Sequence, residues 1–417
     1  MLREPRVNLG NALLSFSDAV DLANPSISNH QIRTAFVAWQ MAVEAGFPEA
    51  RVRRVFIGSI LHDVGALTPE DKTRLHKFAR GDVETHCIRG ACLYNSCPVL
   101  TEAAQMVRWH HRGLKDWDRP IAADEVVDAQ ILHLADTLER WTNRDVFILH
   151  QHAELIEKIR GMARDQIHSD VVDLLLQVAR REDFWLDLVS PRLYSTLLNF
   201  GPLKQEEIEI DQLFSISAFF KKLIDFKSPF TATHSSGVAA CCTVLAKMFG
   251  LASKDVSLLE LAGYLHDLGK LVIPNAILEK NGKLSQEEFA IMKQHTYFTY
   301  TILNSIGGLG PIPEWAAFHH ERLDGTGYPF HVGRDRLETG ARIMAVADVF
   351  TALAEDRPYR PGMKHKEVAR ILRAMADREI LDSRIVTLLL ENYDEVLQHV
   401  KSRQEAAGEE YRGLMSA

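Results

Sequence analysis

The chain has 417 residues, 46% apolar and 25% charged, with a net charge of −8. That is enough chain for two ordinary cores, and the negative balance excludes the broad basic surface on which binding to DNA or RNA polymers relies. Five cysteines without paired spacing exclude a disulfide framework. No apolar run of about 18 residues is present to serve as a membrane span, and the first ten residues, MLREPRVNLG, lack a signal-peptide core, so a cytoplasmic protein without a membrane partner is expected.

Taken in chain order, the periodicity reads as helix almost throughout. Ile32, Ala35, Phe36, Trp39 and Val43 form an apolar stripe that Gly46 stops. The segment VFIGSILHDVGAL at 55–67 reads as a buried helix ending just after a His-Asp pair. Cys87, Cys92 and Cys97 step by five, a rotation of about 140° on a helix, so they share no metal-binding face; all five cysteines read as small buried or incidental residues. Segments 150–165 and 170–188 are helical, with Ser169 the expected N-cap, and Gly201-Pro202 within NFGPLKQEEIE breaks the pattern. Val238, Cys241, Cys242, Leu245 and Met248 then repeat the stripe, Gly250 stops it, and LELAGYLHDLGKL at 259–271 ends on a second His-Asp pair. From about 400 the composition EAAGEEYRG reads as a frayed, solvated tail. Strand signals are weak. The expected architecture is all-α, two helical bundles spanning 1–200 and 201–417.

Those bundles are copies of one another. His30, His62 and Asp63 find His234, His266 and Asp267 at an offset of 204, as Asp21, Pro25, Gly46 and Gly65 find Asp225, Pro229, Gly250 and Gly269. His86, His110 and His111 find His295, His319 and His320 at 209, and Asp136 finds Asp348 at 212. Ten of the eighteen histidines thus fall into two ordered series, and internal repeats of this kind define the fold. Neutral imidazole suits first-row metals such as iron, manganese, nickel or zinc, and a carboxylate can bridge two ions. Helical bundles place such sets in their cores, where side chains from facing helices converge. Each series therefore reads as the ligand list of a two-metal site. Burying five histidines and two aspartates together without metal would leave costly polar groups unpaired.

His266-Asp267 followed by Leu268-Gly269-Lys270, then HHERLDGTGYP at 319–329, ADVFTAL around Asp348 and DRPYR at 356–360 resemble the HD-GYP subfamily of HD-domain phosphohydrolases, over about Phe214 to Leu397. The first half then resembles a second, divergent HD domain. The resemblance implies an iron or manganese site and hydrolysis of a cyclic dinucleotide, cyclic di-GMP in the first place and mixed cyclic GMP-AMP as the alternative. A receptor that binds the nucleotide without hydrolysing it is a rival of another class. It also implies one ion on His234, His266, Asp267 and Asp348, and another on Asp267, His295, His319 and His320, with Asp267 as the bridge. A glutamate that supports a third metal in some members is replaced by Phe230, which favours two.

Two such ions activate water and clamp the oxygens of an in-line phosphoryl displacement. Lys270 would meet a non-bridging phosphate oxygen, and Arg357 and Arg360 are candidate phosphate contacts. The loop Asp324, Gly325, Gly327, Tyr328 and Pro329 is expected to border the substrate, or merely to join two helices. Glu321 would orient a histidine or support that loop. The first half keeps a candidate metal box, His30, His62, Asp63, His86, His110, His111 and Asp136, but has Ala66 in place of Lys270, and HHRGLKDWDRP at 110–120 in place of the glycine-tyrosine-proline loop. It reads as a regulatory domain, a second hydrolase or a structural copy. A cyclase or other signalling protein, or a second copy in a homodimer, is a candidate partner.

Overall fold

The computed structural model describes residues 6–22, 28–66, 83–163, 165–227, 233–356 and 361–415. Among these the chain is helical nearly throughout; the only sheet pairs Val7–Asn8 with Glu207–Ile208, antiparallel. The chain divides into two compact units, Val7–Ile208 and Glu209–Ser416. No described helix is long and apolar enough to cross a membrane.

In the first unit the helix His30–Glu44 packs against Glu49–Ile60 and Asp124–Trp141. Its inner face carries Ile32, Ala35, Phe36, Met41 and Ala42, all buried, and burial of a Phe or Ile side chain contributes about 1.5–3 kcal/mol. Val43 was expected on that face but is 53% exposed, because periodicity alone does not tell where neighbouring helices stop covering a stripe. Gly46 and Gly250 end their helices with positive φ, 66° and 86°, the left-handed turn that glycine adopts without a Cβ penalty.

Three expectations shift. His168, not Ser169, caps the helix Ser169–Val178, its Nδ1 accepting from the Asp170 amide at 3.3 Å; an imidazole nitrogen can serve where a hydroxyl is customary. The segment 170–188 is two helices, Ser169–Val178 and Glu182–Leu188, and the Trp185 indole donates to the Ala179 carbonyl freed between them. The end of the chain is not frayed. Tyr393–Met415 is one helix packed on His234–Met248, with Val396 and Val400 buried and Lys222 paired to Glu410 at 2.6 Å. The polar composition belongs to its outer face, and the few apolar positions suffice to dock it.

In the second unit His234–Met248 is likewise central, packed on Ser253–Leu265, Thr339–Ala354 and Tyr393–Met415. The glycine that follows each His-Asp pair explains how the next histidine helix comes so close. A Cβ at Gly269 would stand 1.9 Å from the His295 carbonyl oxygen, and one at Gly65 would stand 1.9 Å from that of His86, so any side chain there would push the third histidine of the series away.

Candidate metal centres

The histidines are placed by helix ends. A helix leaves its last carbonyls without internal donors, and in the second unit imidazoles supply them. Nδ1 of His266 donates to Gly263 O at 2.8 Å, Nδ1 of His295 to Met292 O at 2.7 Å, and Nδ1 of His319 to Ala316 O at 2.7 Å. A carbonyl only accepts, so the proton sits on Nδ1 and each Nε2 turns inward with a free lone pair. His62 and His110 repeat the device in the first unit, on Ser59 O at 2.9 Å and Val107 O at 2.7 Å.

The inward atoms converge. Ligand atoms of His234, His266 and Asp348, of His266, Asp267 and His319, and of His295, His319 and His320 lie within 4.8 Å of one another in each set. Asp267 links the sets: its Oδ2 is 3.2 Å from His266 Nε2 and its Oδ1 is 3.6 Å from His295 Nε2. His234 Nε2 meets Asp348 Oδ1 at 3.0 Å. All seven expected ligands of this unit are therefore brought together. In the first unit the sets are His30, His62 and Asp63, and Asp63, His86, His110 and His111. Asp136 joins through Oδ1, 3.4 Å from His30 Nε2 and 3.8 Å from His62 Nε2.

These donors fit a metal. His295 Nε2 and His319 Nε2 face each other at 3.3 Å, as do His86 Nε2 and His110 Nε2, and in the His295–His319 pair both protons are committed to backbone carbonyls on the far side. Buried Nε2 atoms of His62 and His266 make no hydrogen bond. Opposed lone pairs beside carboxylates are repulsive unless a cation lies among them. Burial holds His295, His319 and His111 neutral, the form that binds metal: it pushes His295 and His111 down to about 3 and His319 well below the ordinary histidine value. Burial opposes ionisation of Asp267, but the adjacent His266 ring and the Lys270 ammonium outweigh it and keep the carboxyl well below its usual range. Both units thus carry clusters able to hold divalent metal.

Three participants escaped the sequence reading. The first histidine of each series has its Nδ1 on a buried carboxylate, Glu139 for His30 at 2.5 Å and Glu355 for His234 at 3.2 Å. Burial disfavours charging these rings, yet the surrounding carboxylates raise both to about 10. Glu139 lies three residues after Asp136 and Glu355 seven after Asp348, so the same role is filled one helical turn apart and no single offset reveals it. Cys87, read as an incidental core residue, has its Sγ 3.6 Å from both His86 and His110; its counterpart in the second unit is Thr296.

Around the second cluster, Lys270 Nζ lies 2.5 Å from Asp267 Oδ2. Glu321 accepts from the amides of Phe330, His331 and Val332 at 2.7–3.1 Å, so it supports the loop. Asp324 accepts from Thr326 N and Oγ1, Gly325 takes φ 75°, and the Tyr328 ring lies 4.9 Å from that of His320. A Cβ on Gly327 would fall 2.4 Å from Glu321 Cα, and Pro329 follows at the loop's exit. The loop is thereby folded against the His-Asp cluster. Arg357, Arg360 and Phe230 lie outside the described residues.

Comparison with known proteins agrees with this architecture. HD domain models match residues 27–141 and 218–385. The 3'3'-cGAMP-specific phosphodiesterase 1 of Vibrio cholerae is 29% identical over 95% of this chain and 94% of its own length. A cyclic di-GMP phosphodiesterase response regulator of Xanthomonas campestris is 34% identical over 40% of this chain and 45% of its own. The crystal structure of a cyclic GMP-AMP specific phosphodiesterase of V. cholerae superposes with a TM-score of 0.64 at 21% identity, over 93% of this chain and 98% of that one, which establishes a shared fold. Two domain matches, each enclosing one of the converged His-Asp clusters, place the chain in the HD-domain family, as a tandem of two HD domains of which the second is HD-GYP-like.

Proposed function

We propose that this protein is a phosphodiesterase that opens 3'3'-cyclic GMP-AMP to a linear dinucleotide, and that the second unit is the site of the chemistry. The observation that carries the reading is Asp267, which offers one carboxylate oxygen to each half of the histidine set with Lys270 alongside. Cyclic di-GMP, the first expectation from sequence, gives way to the mixed nucleotide. The relative named for cyclic GMP-AMP parallels both units along nearly its whole length, whereas the Xanthomonas cyclic di-GMP relative aligns with 40% of the chain.

Divalent metal held there would supply activated water and neutralise charge on the phosphodiester. His234, His266, Asp267 and Asp348 would hold one ion, and Asp267, His295, His319 and His320 the other, with iron or manganese the best match to the donors. The remaining work falls to the chain. Lys270, seated on Asp267, can swing a short distance to a non-bridging phosphate oxygen and stabilise its growing charge. Glu355 and the backbone carbonyls fix the imidazole orientations. Tyr328 and the glycine turns of the 324–329 loop border the substrate. On this reading the protein works in the cytoplasm on a messenger that a cyclase supplies.

Manganese- or iron-replete protein incubated with each nucleotide, with linear products resolved by chromatography, tests the reading. Cyclic GMP-AMP is expected to turn over at least about tenfold faster than cyclic di-GMP, a preference that a few well-placed base contacts provide. Faster hydrolysis of cyclic di-GMP would reverse the substrate assignment, and tight binding of either without turnover would replace the enzyme by a receptor.

A further inference from the structure

The first unit has a cavity of its own, of about 300 Å³, beside its metal box. Such a volume stands at the small end of ligand pockets. Its floor includes His111, a member of the Asp63, His86, His110 and His111 set, and Cys87, in contact with His86 and His110. Its walls include Arg108, Trp109 and Arg112. The two guanidinium carbons stand over the Trp109 ring at 4.1 and 4.5 Å from its centroid, and that of Arg112 is also 5.2 Å from the Trp117 ring. Guanidinium groups held on indole faces are positioned before any ligand arrives, so less rotamer freedom is lost when they bind one.

We propose that this cavity is a second binding site, for a small phosphate ester of the nucleoside monophosphate class, with Arg108 and Arg112 grasping the phosphate above the first metal box. Each arginine has a resting partner, Glu84 for Arg108 at 3.0 Å and Asp118 for Arg112 at 3.7 Å. Those carboxylates are 68% and 76% exposed, and exposed ion pairs hold weakly. A phosphate offers each guanidinium two oxygens at once in the forked geometry it prefers, so it displaces them. Asp116 and Glu84 also line the cavity, and two carboxylates beside the arginines limit the site to ligands whose negative charge is concentrated at one end.

The second unit shows that these arginines are not part of the shared HD framework. Arg108 corresponds to Ala317, Trp109 to Phe318, and Arg112 to Glu321, and Glu321 is committed to the loop backbone. Conversely the first unit has Ala66 where the second has Lys270. Each box therefore has its own cation, brought from a different element. The inference is independent of the substrate proposed for the second unit.

Titration calorimetry on the full chain with AMP and with GMP, repeated with inorganic phosphate as competitor, tests it. Saturable binding of at least one mononucleotide is expected, competed by phosphate and weakened at least tenfold in Arg108→Gln/Arg112→Gln, while Lys270→Ala leaves it in place. If the double variant melts early, Arg112→Glu, which installs the residue type of the second unit, serves instead and should weaken binding likewise. Unchanged affinity in a folded arginine variant, loss of binding in Lys270→Ala, or nucleotide binding that phosphate does not compete would each overturn the proposal.

Discussion

The two units build the same cluster and surround it differently. Both bring five histidines and two aspartates to one point, and both seat Nδ1 of the first histidine on a buried glutamate. In the second unit a lysine leans on Asp267 and a glycine-rich loop folds over the histidine pair. In the first, Arg140 contacts Asp136 at 3.3 Å, Cys87 lies against two histidines, and two arginines line the adjoining cavity. The donor set and its surroundings are thus separable properties of this fold: the first follows from helix ends and glycine contacts, the second from a few side chains that the duplication left free to diverge.

Breaking the cluster itself should give the largest difference. Asp267→Ala removes the carboxylate shared by both halves of the second site, and cyclic dinucleotide turnover is expected to fall by about a thousandfold or more, the upper range for losing a group on which transition-state charge depends. Metal content measured in parallel should fall by the share of that site. Turnover close to wild type would remove Asp267 from the mechanism. Lys270→Ala tests the element that only the second unit has. It should lower kcat by about a hundredfold with metal content unchanged, and equal loss of metal would mean that the lysine supports the cluster instead of the substrate.

A subtler change compares what the units share. Glu355→Gln keeps the shape of the His234 partner but removes its charge, and metal affinity should weaken by about 10–100-fold, read by competition with a chelator. Glu139→Gln should do the same to the first unit, and no change in either would show that the buried glutamates serve packing alone. The smallest effect on turnover is expected from Asp63→Ala. Metal should be lost from the first unit while hydrolysis of the cyclic dinucleotide stays within about twofold, because sites with no common ligand behave additively. Matching losses from Asp63→Ala and Asp267→Ala would show that the two sites act as one.

Much of this was legible because a ligand set is a matter of residue type and order, which a linear chain records directly. The offsets of 204, 209 and 212 exposed the duplication, and the seven ligand types in each half named the clusters before any fold was drawn. Helical periodicity gave the class. What failed were judgements about surroundings. The terminal helix was misread because its docking face is sparse, Ser169 because a histidine nitrogen took the capping role, and Val43 because a stripe does not say how far its neighbours reach.

The sequence by itself determined the all-α class, the repeat and the donors, since these rest on local pattern and on the chemistry of imidazole and carboxylate. Only the tertiary structure decided which oxygen of Asp267 faces which histidine, that Glu139 and Glu355 fill one role from positions a turn apart, and that Arg108 and Arg112 wall a cavity beside the first box. The physical reason is reach: contacts between residues on different helices depend on how whole helices pack, and no spacing along the chain fixes that.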